Sequence, residues 1–522
     1  MEAAEALTDN RLDIAERLLK AHLKDDPFDA KAIRMLAELA ARIGRWADAE
    51  NLLRRAVEIA PSFTAARANL ALVLGRMGRP AEALPLLDRL FEEDGDNLGH
   101  FNLKAATLGK LGDFGAAIGL YEQVLERSPK QARVWLSYGH MLKTIGRLDD
   151  GVAAYRRAID IRPSLGEAWF SLANLKTVAF ADDDIAAMQA ALAGGDLTDD
   201  DRVHIDFALG KAMHDRAQWA EAFEYYAAGN ALRRTQAPHD AARFTRRVDR
   251  CIAAFTAEAL AGRAGGGDPA PDPIFVVGMP RAGSTLIEQI LSSHSLIEGT
   301  SELADIPALA RKHGRYPESV LELTAEQRAE LGAEYLARTS VQRRTARPLF
   351  IDKLPNNWLF VPLIHLILPN AKIIDARRHP LSCCFSNFRQ HFARGQDFAY
   401  DLADVGQYYA DYVRLMAHVD AVLPGKVHRV IYERMVDDTE AEVRALLDYC
   451  GLEFEPACLE FHKTERAVRT PSSEQVRRPI YRDATEEWRP YDPHLGPLKD
   501  ALGIVLDAYP EAPAQRSSPN PQ

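Results

Sequence analysis

The stretch Ile274-Phe275-Val276-Val277-Gly278-Met279-Pro280-Arg281-Ala282-Gly283-Ser284-Thr285, followed by Leu286-Ile287-Glu288-Gln289-Ile290-Leu291, decides how the second half of this chain folds. Four consecutive apolar residues predict a buried strand, and the apolar residues after Thr285 recur at helical spacing. Between strand and helix lies a loop with two glycines five apart. Such a unit makes a phosphate cradle: backbone N–H groups converge on an anion, and the helix N-terminus adds partial positive charge. Ser284 stands where a Walker A loop carries its lysine, and the cation here is Arg281 instead. That disfavours nucleoside triphosphate hydrolysis, and with it a nucleotide kinase, while keeping phosphate binding.

Working outward, Leu349-Phe350-Ile351, Lys372-Ile373-Ile374-Asp375-Ala376 and Val427-His428-Arg429-Val430-Ile431 are further short apolar runs separated by helical stretches. Strands alternating with helices predict an α/β domain with a parallel sheet, over residues 273–509. Before it, a helix is expected from about Arg243 to Leu260, then a Gly/Pro-rich linker; residues 236–272 form the connection. The tail, residues 510–522, is rich in Pro and Ser and is expected to be disordered.

The first half repeats itself. Gly44, Gly78, Gly112 and Gly146 fall 34 residues apart, Ala49, Ala83 and Ala117 keep the same period, and Gly151 is next in that register. Ile33, Leu36, Ala37 and Ala40 share one helical face; Ala49, Leu52, Leu53 and Ala56 share another. Gly44 ends the first helix through a left-handed turn, Ala49 lets the helices approach closely, and Pro61 stops the second. A 34-residue helix pair is the period of the tetratricopeptide repeat, so residues 1–235 predict an α-solenoid. Asn10 and Ala15 place a partial repeat at the start, and Trp219-Ala220-Glu221-Ala222 echoes Trp46-Ala47-Asp48-Ala49 as a degenerate unit. Such arrays present concave surfaces to proteins and peptides.

The formal charge of −11 argues against general nucleic-acid binding. Five cysteines, without the paired spacing of a zinc site, read as reduced core thiols. The sequence shows neither signal-peptide pattern nor membrane-length apolar run, so a cytoplasmic protein is expected.

Four further places carry candidate chemistry. Arg378, in Arg378-His379-Pro380, follows a strand, and Ser386 stands eight residues on; such a pair can grip one phosphate from two sides. Lys353 follows the strand Leu349–Ile351 and can point into the crevice of an open sheet, or be a surface lysine before a helix start. Glu302 can accept a proton, or be a first-turn glutamate after an N-capping Thr300 or Ser301. The late stretch Ser472-Ser473-Glu474-Gln475-Val476-Arg477-Arg478-Pro479 precedes Trp488.

Taken in order, these motifs resemble the sulfotransferase family, over about Pro273 to Tyr509. With the repeats ahead of them, the chain is most similar to bacterial proteins joining tetratricopeptide repeats to a sulfotransferase domain, and more distantly to tyrosylprotein sulfotransferases. The resemblance implies transfer of a sulfuryl group from 3′-phosphoadenosine 5′-phosphosulfate, without a metal, to an acceptor hydroxyl or amine. It assigns Arg281, Ala282, Gly283, Ser284 and Thr285 to the 5′-phosphosulfate, Arg378 and Ser386 to the 3′-phosphate, and Tyr432 to the adenosine. It makes Glu302 the base, and Lys353 and Ser472 stabilisers of the departing oxygen. Two positions depart from the tyrosylprotein pattern: Gln390 replaces an arginine, with Arg389 one residue early, and Glu487 replaces a lysine. Those departures leave a second reading open, a protein-binding scaffold with an idle nucleotide domain. The acceptor is open too: protein tyrosine, a small metabolite or a polysaccharide.

Overall fold

The computed structural model describes residues 2–175, 177–195, 197–263, 265–392, 395–464, 466, 475–480 and 485–513. The chain forms two compact units, Met1–Ala168 and Trp169–Gln522.

The first unit is a series of antiparallel helix pairs: Ala30–Arg42 with Trp46–Ile59, Thr64–Arg76 with Pro80–Glu93, Leu98–Leu111 with Phe114–Arg127, and Ala132–Thr144 with Leu148–Ile161. Each pair turns at the periodic glycine, whose φ lies between +78° and +89° in all four. Ala49, Ala83 and Ala117 are wholly buried at the helix crossings, and a Cβ on Gly151 would come within 3.4 Å of the Gly139 carbonyl. Ile33, Ala37, Ala40, Leu53 and Ala56 form the core of the first full repeat, while Leu52 is half-buried at its edge. The repeats are also stapled by cations. Arg42 Nη1 donates to the Leu7 carbonyl at 2.6 Å, and Lys110 Nζ donates to the Gly75 carbonyl at 2.8 Å. Both reach back 35 residues, so the last turn of one helix satisfies a carbonyl at the end of its counterpart in the preceding repeat.

In the second unit, helices Asp199–Asp215 and Trp219–Gln236 pair through a turn at Ala217, whose φ is +57°. Alanine thus takes the left-handed conformation that glycine takes in the regular repeats, at a cost of about 1 kcal/mol. The single helix expected from Arg243 to Leu260 is in fact two, Ala241–Ala254 and Ala257–Ala261. Phe255 turns inward to full burial, and the Thr256 side chain caps the second helix by accepting from the Ala259 N–H. The described part of the Gly/Pro-rich segment packs on the α/β region: the Asp268 N–H donates to the Ile367 carbonyl at 2.8 Å.

Among the described residues, five parallel strands form one sheet in the order β2-β3-β1-β4-β5. They are β1 (Pro273–Gly278), β2 (Ile297–Ser301), β3 (Leu349–Asp352), β4 (Lys372–Arg377) and β5 (Val427–Ile431). β2 was not among the expected strands, because Ile297 is its one strongly apolar residue. β1 is central and buried throughout, hence its unbroken apolar run. Ile274, Phe275, Val276 and Val277 are each 0% exposed, which stabilises the sheet by roughly 1.5–3 kcal/mol per side chain. At the end of β4, Arg377 Nη2 donates to Asp375 Oδ2 at 3.1 Å, and Tyr412 and Arg429 complete the shell around that buried carboxylate.

β1 and β4 pair at Gly278 and Ala376. Gly278 has φ +133°, and a Cβ there would lie 2.3 Å from the Ala376 carbonyl oxygen. Gly278→Ala is therefore expected to destabilise the protein by about 2–4 kcal/mol. Gly425→Ala, at φ +75° with nothing within 4 Å of the added methyl, should cost only about 1 kcal/mol. Urea midpoints of the two variants check this; equal losses would mean that conformation alone, not the close approach, sets the cost.

Candidate anion-binding and transfer site

The loop after β1 carries Arg281 at φ +67°, a conformation that non-glycine residues rarely take. Helix Ser284–Ser292 follows, with Gly283 as its N-cap and no capping side chain. A Cβ on Gly283 would meet the Tyr432 ring at 2.7 Å, so glycine here lets the ring lie against the loop. The carbonyl of Pro280 accepts from Asn387 Nδ2 at 2.8 Å and from Cys383 Sγ at 3.4 Å, both within helix Pro380–Phe388. That places Cys383 in a structural role, and burial pushes its thiol up to about 12. All five cysteines are buried and free.

A cavity opens over the loop. Seven of the residues read from the sequence line it: Arg281, Gly283, Ser284, Thr285, Arg378, Ser386 and Tyr432. Arg281 Nε donates to Ser386 Oγ at 3.2 Å, Arg378 Nη1 donates to the Arg281 carbonyl at 3.2 Å, and the Arg378 guanidinium lies 4.8 Å from the Tyr432 ring centre. The loop after β1, the residue after β4 and the residue after β5 thus meet at one place. Ala282 does not line the cavity; it is buried, at 2% exposed.

Lys353 and Glu302 meet each other instead. Lys353 Nζ lies 2.5 Å from Glu302 Oε1, and neither residue lines the cavity. Lys353 is 1% exposed, which rules out a surface lysine. Glu302 is not a first-turn glutamate either: the next helix begins at Asp305, and Thr300 Oγ1 donates to the Ile351 carbonyl at 2.6 Å rather than capping it. Ser472 lies outside the described residues.

Sequence reasoning missed several neighbours. Phe461 and Ile480 add apolar wall to the cavity beside Leu286 of the helix after the loop, and Arg478, from the late stretch before Trp488, adds a third cation. Glu487 also lines it and is ion-paired with Arg389, so the two departures at residues 389–390 and 487 are linked. Gln390 itself is buried and bonded to Asn174 Oδ1 at 3.3 Å. Arg389 further contacts the ring of His214, which comes from helix Asp199–Asp215. Trp488 stacks on His379 with ring centres 5.7 Å apart and planes 6° off parallel, which fixes Glu487 at the wall. Burial lowers the His379 pKa, so a neutral ring is what stacks there.

Next to Lys353, Asp352 is wholly buried, and burial pushes its carboxyl up to about 8 from the ordinary 3.8. Tyr335 donates to its Oδ2 at 2.9 Å.

An α/β domain with a central parallel sheet and an arginine-rich cavity over its first strand is the class that fold and site define. Residues 273–456 match the sulfotransferase family, and residues 1–62, 40–106 and 102–165 match tetratricopeptide repeats. Residues 273–456 are thus similar to the sulfotransferase family and stand behind segments similar to tetratricopeptide repeats. An uncharacterized protein of Aquifex aeolicus (strain VF5) is 33% identical over 62% of this chain and 44% of its own length. This chain thus spans less than half of that relative. A Caenorhabditis briggsae protein named "Putative protein-tyrosine sulfotransferase" is 22% identical over 41% of this chain and 80% of its own length. The sulfotransferase domain of the Synechococcus PCC 7002 olefin synthase is 24% identical, covering 43% of this chain and 89% of that one, with a TM-score of 0.33. Among the described residues, no helix is long and apolar enough to cross a membrane.

The Asp352 carboxyl gives a pH signature. An unfolded chain releases this proton near 3.8, while the folded state keeps it to about 8. Between those values the native state holds the extra proton, so stability falls as pH rises, by about 1.4 kcal/mol per pH unit from this group. Asp352→Asn removes the titration. Urea midpoints from pH 5 to 8 should fall less steeply in the variant than in the wild type; parallel slopes would refute the burial argument.

Proposed function

We propose that the α/β domain transfers a sulfuryl group from 3′-phosphoadenosine 5′-phosphosulfate to an acceptor hydroxyl, and that the acceptor is a tyrosine of a protein or peptide recruited by the repeats. The observation that carries this reading is the meeting of Arg281, Arg378 and Ser386 in one cavity at a helix N-terminus. Two guanidinium groups from different strand ends suit a ligand with two separated anionic groups, which distinguishes a 3′-phosphorylated donor from ATP. The amides of residues 283–285 and Arg281 hold the 5′-phosphosulfate, Arg378 and Ser386 hold the 3′-phosphate, and Tyr432 packs on the adenosine.

In the transfer, Glu302 takes the proton of the acceptor hydroxyl, whose oxygen bonds to sulfur. The bond from sulfur to the bridging oxygen breaks, and the electron pair leaves on the 5′-phosphate of 3′,5′-adenosine bisphosphate. Lys353 and Ser472 stabilise that oxygen. With Lys353 resting on Glu302, the ammonium must move from carboxylate to donor, which frees Glu302 as a base at the same moment. The choice of tyrosine is supported by the name of the Caenorhabditis relative, and recruitment by the repeats in the first unit. A cytoplasmic location fits this reading, and nothing in it calls for a metal.

Calorimetry with 3′,5′-adenosine bisphosphate against ATP tests the donor. Tight binding of the bisphosphate with weak ATP binding is expected; equal binding would remove the reading. Lys353→Ala and Glu302→Gln should keep nucleotide affinity and lose about 10²–10³ in transfer rate, measured with labelled donor. Absence of transfer by the wild type to any protein in a lysate would favour the scaffold.

A further inference from the structure

Helix Ser284–Ser292 presents two buried polar side chains that the proposed transfer does not use, Glu288 and Gln289. Glu288 Oε1 accepts from Arg466 Nη1 at 3.0 Å, and its Oε2 lies 4.0 Å from Lys353 Nζ. Gln289 accepts from Arg466 Nε at 2.7 Å and donates to the carbonyls of Phe461 and Thr464 at 2.9 and 3.0 Å. The charges therefore alternate in a row: Glu302, Lys353, Glu288, Arg466.

The Lys353 ammonium has a carboxylate on either side, and the two are unequal. The Glu302 side chain is 49% exposed, whereas that of Glu288 is 3% exposed. Attraction at a given distance is stronger in the dry interior than beside water. An uncompensated Glu288 would draw the ammonium inward, yet Lys353 rests on Glu302, at 2.5 Å. Arg466, whose side chain is 14% exposed, supplies the compensation by occupying the inner carboxylate. The lysine cannot simply lose its counter-charge either, since a buried ammonium with one half-exposed partner is costly.

We propose that Glu288 and Arg466 are positioning residues for Lys353: Glu288 is its inner counter-charge, and Arg466 tempers Glu288 so that the ammonium rests on Glu302. The inference builds on the reading of Lys353 and Glu302 as the transferring pair. It also assigns a task to Phe461, Thr464 and Arg466, each bonded to Gln289 and none reached by the matched family region.

The test is a pairwise set. Arg466→Met should let Lys353 move onto Glu288, lowering kcat about tenfold or more while the Kd for 3′,5′-adenosine bisphosphate stays within about twofold. The double variant Glu288→Gln/Arg466→Met removes the competitor as well, and should recover at least about fivefold of the lost kcat. Carbon-13 spectra of lysine-labelled protein give a readout that needs no activity. The Lys353 Cε resonance, assigned by its absence in Lys353→Met, should shift in Arg466→Met and return toward its wild-type position in the double variant. If Arg466→Met does not fold, Arg466→Gln, which can still bond Gln289, replaces it. A double variant whose kcat loss is the product of two independent losses, or a Lys353 resonance indifferent to Arg466, overturns the proposal. A wild-type protein without transfer activity defeats the functional reading instead, while the spectra still decide where the ammonium rests.

Discussion

The close approach of β1 and β4 at Gly278 and Ala376 is the constraint on which the site depends. Parallel pairing puts the C-terminal ends of neighbouring strands at the same edge of the sheet. A residue with a Cβ at position 278 would push β4 away. Without one, the loop after β1 and the residues after β4 begin side by side, and Arg378 reaches the Arg281 carbonyl. That bond does two things at once. It places a second guanidinium in the cavity, and it holds the carbonyl of a residue in an unfavourable backbone conformation. The strain at Arg281 is thus supported from β4, and from helix Pro380–Phe388 through the Pro280 carbonyl. A loop fixed by its neighbours does not have to be ordered by its ligand, which favours binding.

This explains how much of the site the sequence made legible. A glycine loop between a buried strand and a helix declares itself, because backbone requirements leave few residue choices. The repeat glycines do so for the same reason, with four matching left-handed turns. Arg378 and Ser386 were readable because both stand at fixed offsets from a strand end. β2 was not, since an edge strand with Glu298, Gly299 and Thr300 has neither an apolar run nor clean alternation. The break at Phe255 is equally silent: Phe and Thr are ordinary helix residues, and only tertiary burial of the ring decides the matter. Phe461, Arg466 and Glu487 lie 176 or more residues beyond Thr285, and no spacing rule spans such a distance. The link between Arg389 and Glu487 had to be seen in space. Taken singly, each is a departure from a relative's pattern; together they are one ion pair.

That ion pair bears on specificity. A carboxylate on the wall of an anion-binding cavity would repel a phosphate if it stood alone. Arg389 neutralises it, and His214, from the helical part of the second unit, contacts Arg389 and is itself bonded to Tyr491 of the segment Arg489–His494. The wall residue Glu487 is therefore held, through Arg389, by a residue ahead of the matched sulfotransferase region. A domain cut at residue 273 would lose His214 and the Asn230 bond to the Phe388 carbonyl at the end of the helix that carries Ser386. The helices from residue 199 onward are structural members of this site.

The cations at this site divide by type. Arginines line the cavity, where planar, permanently charged groups can bind anions from fixed directions. The lysine is held apart, buried between carboxylates, and is 2.5 Å from one of them. An arginine there would share two parallel hydrogen bonds with Glu302 and be hard to displace. A lysine makes a single compact contact on a flexible stem, so it can exchange one oxygen anion for another at small cost. Binding calls for cations that stay, and transfer calls for one that moves. The proximity of Lys353 to both Glu302 and Glu288 is what such a moving charge requires: a place to rest that is also the group it must release.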